Sequence, residues 1–215
     1  MAIVAIDDAP PRVGLTHFAL AVGGFAIGTT EFATMSLLPD FARDLGIDAP
    51  TAGHVISAYA LGVVVGAPLL AVAAAKLPRR TLLILLMAMF AIGNALSGVA
   101  PTYRWMLFFR FLSGLPHGAY FGIATLVAAS LVPHEQRTKA VARVLLGLTV
   151  ATIVGVPVAN WLGQNVGWRW CFAVVAALAA ITAAHALGTP SRIRPTMATM
   201  KTISQGTLEL DRSPG

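Results

Sequence analysis

Residues 105–132 read Trp105-Met-Leu-Phe-Phe-Arg110-Phe-Leu-Ser-Gly-Leu-Pro-His117-Gly-Ala-Tyr-Phe-Gly-Ile-Ala-Thr-Leu-Val-Ala-Ala-Ser-Leu-Val132. Arg110 is the one charged residue in this segment. Because an α-helix rises about 1.5 Å per residue, about 20 apolar residues cross a hydrocarbon core about 30 Å thick. The length and composition of the segment therefore predict a membrane-spanning helix.

The rest of the chain has the same character. Of its 215 residues, 57% are hydrophobic and only 11% are charged. Soluble domains carry about 25% charged residues, so this composition does not supply a water-soluble surface. The sequence therefore predicts an integral membrane protein with the lipid bilayer as its main partner.

Five further segments are long and apolar enough to span a bilayer. The alternating ten-residue strands of an outer-membrane barrel do not appear. We therefore predict an all-α membrane protein with a six-helix bundle over residues 13–188, a cytoplasmic N-terminus over 1–12, and a cytoplasmic tail or truncated inter-half linker over 189–215. The predicted spans are 13–38, 52–75, 82–100, 105–132, 140–162 and 172–187, with residue 168 as a second possible start of the last.

The basic residues predict the orientation of the spans. Eleven of the 15 Lys and Arg residues fall on one side of the predicted topology, and only Arg43, Arg104 and Arg169 fall on the other. Because cytoplasmic loops carry the excess of basic residues, both termini are predicted to be cytoplasmic, in the cell inner membrane. Residues 1–12 contain no basic n-region, so no cleavable signal peptide is expected.

Several functional classes are disfavoured. The net charge of +6 lies in short clusters between apolar runs, which is not the pattern of a nucleic-acid interface. Cys171 is the single cysteine, and no pair of the five histidines has metal-site spacing, so neither a metal nor another cofactor is predicted. A membrane-embedded enzyme would need a nucleophile–base pair, and the sequence shows none.

Two charged residues lie well inside predicted spans. Glu31 lies about 12 Å and Arg110 about 9 Å from the outer ends of their helices, at 1.5 Å per residue. Ionisable residues at membrane depth are costly, so they are functional candidates by default. The two opposite charges could form a structural ion pair, or they could be a proton- or substrate-coupled carboxylate and its charge partner.

Uncharged polar residues inside the spans are weaker candidates. His117 lies seven residues after Arg110, on the same helical face, and Tyr120 borders that face. Structural hydrogen bonding is one interpretation of His117 and of Asn94, and contact with a substrate is the other.

Four motifs carry a resemblance to a known family: Thr30-Glu31-Phe32, Tyr59-Ala-Leu-Gly-Val-Val-Val-Gly-Ala-Pro68, Gly114-Leu-Pro-His-Gly-Ala-Tyr-Phe-Gly122 and Gly155-Val-Pro157. In this order they resemble the N-terminal half of a major facilitator superfamily transporter. The similarity is greatest to the drug:proton antiporter branch, which includes bacterial permeases similar to the arabinose efflux permease. It covers about residues 13–188.

The resemblance implies roles for individual residues. Arg110 and Gly114 match a span-four motif whose Arg the family links to proton coupling. Gly155 and Pro157 resemble the antiporter motif of span five. The loop between spans two and three keeps the basic positions of the family's gating loop, but its usual Asp is replaced by Ala75. Those basic positions are Lys76, Arg79 and Arg80.

The implied function is secondary active, proton-coupled efflux of a small organic compound, either a sugar or a drug-like molecule. Glu31 would exchange the proton beside Arg110. Because the resemblance covers one half of such a transporter, a second six-helix half or a second copy is expected as partner. The alternative is a half-bundle that does not transport and acts as an assembly module, or is a defective remnant. The candidate substrate contacts are His117, Tyr59, Tyr120 and Asn94.

Overall fold

The computed structural model describes residues 13–73 and 77–188, and these are arranged as helices without a strand. The predictions for residues 1–12 and 189–215, for Ala75 and for Lys76 lie outside the described residues. The helices are α1 (Val13–Ser36), α2 (Leu38–Asp44), α3 (Ala49–Ala73), α4 (Arg79–Gly98), α5 (Tyr103–Ser130), α6 (Arg137–Val150), α7 (Val156–Asn165) and α8 (Trp168–Gly188).

Within residues 13–73 and 77–188, six helical segments are long and apolar enough to cross a membrane. They are α1, α3, α4, α5, α8 and the pair α6–α7, which a π-helical turn over Ala151–Gly155 joins into one span. The prediction of an all-α membrane protein with six spans is thus confirmed. The last helix begins at Trp168, the earlier of the two predicted starts.

The short helix α2 was not predicted. The first span was predicted to extend to Leu38. In the structure, α1 ends at Ser36 and α2 begins at Leu38, with Pro39 in its first turn. Proline suits the first turn of a helix because its missing N–H would have no intrahelical partner there. Leu37 and Phe41 are 2% and 0% exposed, so burial of these two apolar side chains holds α2 against the bundle.

Three connections meet at one end of the bundle, here termed the α2 end. The carboxylate of Asp44 accepts hydrogen bonds from the guanidinium of Arg169 and from the indole N–H of Trp168. A second nitrogen of Arg169 donates to the carbonyl oxygen of Ala100 at 3.3 Å. The hydrogen bond from Arg169 holds the pKa of Asp44 below its ordinary value. One ionic cluster therefore ties α2 to the α4–α5 connection and to the start of α8.

Side chains also join helix termini at the opposite end. Nε2 of His17 donates to the carbonyl oxygen of Ala128 at 3.1 Å, which joins the start of α1 to the end of α5. Nε of Arg80 donates to the carbonyl oxygen of Ala186 at 2.9 Å, which joins the start of α4 to the end of α8. The first bond adds a second donor to a carbonyl group that also accepts the N–H of Leu131 at 3.4 Å. The second reaches a carbonyl group in the last turn of α8, where carbonyl groups lack intrahelical donors.

Helices α3 and α5 approach each other closely along a seam of glycines. A Cβ atom on Gly62 would lie 2.2 Å from the carbonyl oxygen of Phe111, and one on Gly66 would lie 2.1 Å from that of Leu115. A Cβ atom on Gly114 would lie 2.3 Å from the carbonyl oxygen of Tyr59. Small residues allow two membrane helices to pack backbone against backbone. We refer to this contact as the α3–α5 seam.

Replacing Gly66 by Ala should therefore destabilise the bundle, because the added methyl group meets backbone atoms that cannot rotate away. Overpacking of this kind costs about 1–3 kcal/mol of unfolding free energy. Gly53→Ala, on the same helix, is the matched control, because nothing lies within 4 Å of its Cβ position. Thermal unfolding in mild detergent should show a lower midpoint for Gly66→Ala alone, and equal midpoints would contradict the seam.

Candidate functional site

One face each of α1, α3 and α5 lines a cleft of about 380 Å³. Most of its lining is apolar, with a small group of polar side chains. Clefts of this kind, with mainly apolar walls and few polar groups, are typical of small-molecule sites. The lining residues are Glu31, Phe32, Thr34 and Met35 from α1, Ile56, Tyr59, Ala60, Val63 and Val64 from α3, and Arg110 and His117 from α5.

Arg110 is a polar residue of the cleft that is almost fully buried, with 1% of its surface exposed. Its guanidinium carbon lies 4.3 Å from the ring centre of Tyr59 and 5.5 Å from that of Phe172. Aromatic faces attract a cation, by about 2 kcal/mol or more when the pair is desolvated. Nε and Nη1 nevertheless have no hydrogen-bond partner among the described residues. Two aromatic rings thus hold a cation of which two nitrogens are free of hydrogen bonds to the described residues.

Glu31 is half-buried and lines the same cleft as Arg110. The two do not form a contact ion pair, because the ion pairs within 4.0 Å in the described part of the chain are Asp40–Arg43 and Asp44–Arg169. Opposite charges attract strongly across low-dielectric surroundings even without contact. The structure therefore separates the two charges, and the carboxylate remains accessible from the cleft.

Tyr59 and His117 form a hydrogen-bonded pair in the wall of the cleft. The phenolic oxygen of Tyr59 lies 2.9 Å from Nδ1 of His117. Tyr59 is 3% exposed, whereas His117 is half-buried and packs against the ring of Phe121. The same tyrosine therefore contacts both the arginine and the histidine of the cleft.

Two predicted substrate contacts lie outside this lining. The phenolic O–H of Tyr120 donates to the carbonyl oxygen of Leu20 at 2.8 Å and packs where Gly23 leaves space. Asn94 is fully buried, and its Nδ2 donates to the carbonyl oxygen of Phe90 within α4. The structure thus groups Glu31, Tyr59, Arg110 and His117 around the cleft, and it places Tyr120 and Asn94 in helix packing.

The other motif residues lie elsewhere in the bundle. Gly155 belongs to the π-helical turn, and a Cβ atom there would lie 2.1 Å from Oγ1 of Thr29, so α1 packs directly on this turn. Pro157 is exposed on α7. Arg79 is exposed at the start of α4, and Arg80 binds the end of α8. No group of three or more candidate metal ligands occurs in residues 13–73 and 77–188.

Most of the apolar lining was not predicted from the sequence. The cleft-facing residues of α3 are spaced at three, four, seven and eight residues from Ile56, which is the spacing of one helical face. Because Tyr59 was already a candidate site residue, the residues that share its helical face could have been predicted to line the cleft as well. These residues are Ile56, Val63 and Val64. The ring of Phe172 beside Arg110 comes from α8, and no spacing within the sequence indicates this contact.

The fold and cleft agree with the comparison to protein families. Residues 20–203 match the family model described as Major Facilitator Superfamily. The chain therefore belongs to this superfamily, whose members are membrane transporters rather than enzymes.

Individual relatives lead to the same family. The chain is 51% identical over 171 residues to the inner membrane transport protein YdhP of Escherichia coli K12, covering 80% of this chain and 44% of that protein. It is 40% identical over 158 residues to the putative transporter AraJ of the same strain, covering 74% and 40%. It is also 40% identical over 162 residues to a chloramphenicol resistance protein of Streptomyces lividans, covering 75% and 41%.

A solved structure shares the fold. The inward-facing, unoccupied bacterial homologue of the human lysosomal transporter Spinster is 18% identical, with a TM-score of 0.71. The match covers 85% of this chain and 44% of that one. The chain spans less than half the length of the three curated relatives named above.

The face of α3 that lines the cleft should be in contact with water, and the neighbouring face should be covered by lipid. Ala60 and Leu61 are adjacent and both exposed, but Ala60 lines the cleft and Leu61 does not. In a Cys171→Ser background, Ala60→Cys should react with a charged maleimide in membranes much faster than Leu61→Cys, because lipid covers the second position. Labelling at equal rates would contradict an aqueous cleft.

Proposed function

We propose that this chain is one six-helix half of a proton-coupled exporter of small organic compounds. The observation that carries the proposal is the convergence of Glu31 and Arg110 from two different helices on one mainly apolar cleft. Buried ionisable groups in membrane proteins mark substrate and proton pathways, because their burial is otherwise too costly to retain.

Glu31 is the proton carrier in this proposal. Arginine does not lose its proton in proteins, so Arg110 stays cationic and the carboxylate is the member of the pair that can exchange one. The rings of Tyr59 and Phe172 keep the cation in place whether Glu31 is ionised or neutral. Protonation of Glu31 removes one of two opposite charges in the cleft and thereby changes the binding of any polar ligand there.

The lining favours an amphipathic ligand. Met35, Ile56, Val63 and Val64 offer apolar surface, and the polar groups lie together at Tyr59, Glu31, Arg110 and His117. A small drug-like or sugar-like molecule has the size for a cleft of about 380 Å³. The name of the Streptomyces lividans relative makes chloramphenicol the first compound to test.

A second six-helix half completes the transporter in this proposal. The chain matches less than half of each of the three curated relatives named above. Transporters with repeated halves bind substrate between them near the membrane midplane. The cleft would then be one wall of the binding site, and the second half, or a second copy of this chain, would supply the other.

The proposed orientation places the protein in the inner membrane, with the α2 end on the periplasmic side. The α2 end carries Arg43, Arg104 and Arg169 and also Asp40, Asp44 and Asp48, so its formal charges balance. The opposite end carries a basic excess, as cytoplasmic loops do. Its described basic residues are Arg79, Arg80, Arg137, Lys139 and Arg143.

Reporter fusions test this orientation. Green fluorescent protein fused after Gly215 should fluoresce, because both termini are placed in the cytoplasm, whereas alkaline phosphatase at that position should be inactive. The same phosphatase inserted at Gly46, in the α2–α3 connection, should be active. Phosphatase activity after Gly215 would overturn the orientation.

Replacing Glu31 by Gln should abolish proton-driven transport, because the amide has a similar shape but does not exchange a proton near neutral pH. The test uses a chimera in which this chain replaces the matching N-terminal region of the Streptomyces lividans chloramphenicol resistance protein. Uptake of chloramphenicol into inverted vesicles is measured with and without a proton gradient. The gradient should stimulate uptake in the chimera, and the stimulation should vanish in the Glu31→Gln form.

Glu135→Gln is the matched control, since Glu135 is an exposed carboxylate between α5 and α6. It should leave gradient-driven uptake unchanged. Undiminished uptake in the Glu31→Gln chimera would show that another group carries the proton. A chimera that expresses in the membrane but never transports would count against the proposed export function itself.

A further inference from the structure

We infer that Tyr59 is a positioning residue, which fixes His117 as a hydrogen-bond donor to the ligand, and that the ligand carries both a donor and an acceptor group. The inference rests on the proposed function and specifies the chemistry of its substrate. It starts from the contact between the phenolic oxygen of Tyr59 and Nδ1 of His117, 2.9 Å apart in the wall of the cleft.

The direction of this hydrogen bond follows from its surroundings. Tyr59 is 3% exposed, and its hydroxyl has no hydrogen-bond partner other than His117 among the described residues. If Nδ1 donated to the phenolic oxygen, the tyrosine O–H would remain buried without an acceptor, which costs about 1–3 kcal/mol. Tyr59 therefore donates to Nδ1.

The direction fixes the tautomer of the histidine. A neutral imidazole carries one N–H and one bare nitrogen, so accepting at Nδ1 places the proton on Nε2. In the described structure Nε2 has no protein partner, and the side chain of His117 lines the cleft. The imidazole therefore offers an N–H donor to whatever occupies the cleft.

Tyr59 itself is held in place by two independent contacts. Its ring lies 4.3 Å from the guanidinium carbon of Arg110, and its carbonyl oxygen abuts Gly114 across the α3–α5 seam. The phenolic O–H is used on His117 and does not serve the ligand. This tyrosine therefore acts through the histidine rather than as a polar contact of its own.

The polar groups of the cleft determine which hydrogen-bonding groups a ligand needs. His117 supplies a donor at Nε2, and ionised Glu31 supplies an acceptor. A matching molecule accepts one hydrogen bond and donates another, and its apolar body lies on Ile56, Val63 and Val64. Uncharged compounds with hydroxyl or amide groups on an apolar frame fit this pattern. Because ligand and proton compete for the Glu31 carboxylate, the pattern also suits exchange of one for the other.

The first arm of the test reads the tautomer by nitrogen NMR. Isotope-labelled histidine is incorporated into the 215-residue chain in lipid nanodiscs, and the His117 signals are assigned by their loss in His117→Gln. Nδ1 should resonate as a bare nitrogen and Nε2 as a protonated one. Tyr59→Phe, which keeps the ring but removes the O–H, should give a mixture of both tautomers. A wild-type proton on Nδ1, or unchanged signals in Tyr59→Phe, would overturn the inference.

The chain offers a matched control for this arm. The phenolic oxygen of Tyr103 lies 3.0 Å from Nδ1 of His54 at the start of α3, which is the same pairing outside the cleft. Tyr103→Phe should alter the signals of His54 and leave those of His117 unchanged. A change at His117 in this variant would show that the shifts report general loosening of the bundle, which contradicts a specific role for Tyr59.

The second arm tests the ligand class with two probes. Chloramphenicol has hydroxyl and amide groups on a nitrophenyl frame, and 4-nitrotoluene has a similar frame without them. Chloramphenicol should shift the Nε2 signal of His117 and bind about five- to tenfold more weakly to His117→Phe, as expected for one lost hydrogen bond. 4-Nitrotoluene should bind both forms equally.

No binding of chloramphenicol, or equal binding to both forms, would overturn the ligand assignment. This failure is distinct from failure of the export proposal. A Glu31→Gln chimera that keeps gradient-driven uptake would remove the proton role of Glu31, but it would leave the tautomer of His117 and its donor N–H as measured.

Discussion

The backbone contact between α3 and α5 is the constraint on which the rest of the site depends. Gly62 and Gly66 bring α3 against the carbonyl groups of Phe111 and Leu115, and Gly114 lies against that of Tyr59. At such short separations, the ring of a tyrosine on one helix reaches both an arginine and a histidine of the other. A larger residue in the seam would move these groups apart together, because the packed backbones transmit the displacement.

The second constraint on the site is that the buried charge of Arg110 must be stabilised. A cation without a contact anion is costly in a membrane bundle, and this one is stabilised by two aromatic faces and by a carboxylate farther away. The arrangement differs from a closed salt bridge, in which each charge would be saturated by the other. Under the proposed function, this arrangement leaves the Glu31 carboxylate able to exchange a proton and leaves both groups able to bind a ligand.

The sequence predicted the class, the six spans and the central pair because these depend on composition, length and the cost of charge in lipid. Glu31, Arg110, Tyr59 and His117 were all identified, and they do share a cleft. Tyr120 was placed with them because it borders the helical face of Arg110 and His117, and Asn94 because its residue type suits ligand binding. Their orientation is decided by contacts with other helices and backbone carbonyls, which helical spacing does not specify. Helix α2 was missed because a seven-residue helix has too few turns for a periodic pattern.

The links at the two ends of the bundle have a mechanical consequence. Asp44 and Arg169 fasten three connections together at one end, while His17 and Arg80 fasten two pairs of helix termini at the other. These links brace α1, α4, α5 and α8 against sliding past one another. Under the proposed export function, opening the cleft alternately to the two sides of a membrane would then rotate these helices as a group and leave the spacing between them unchanged.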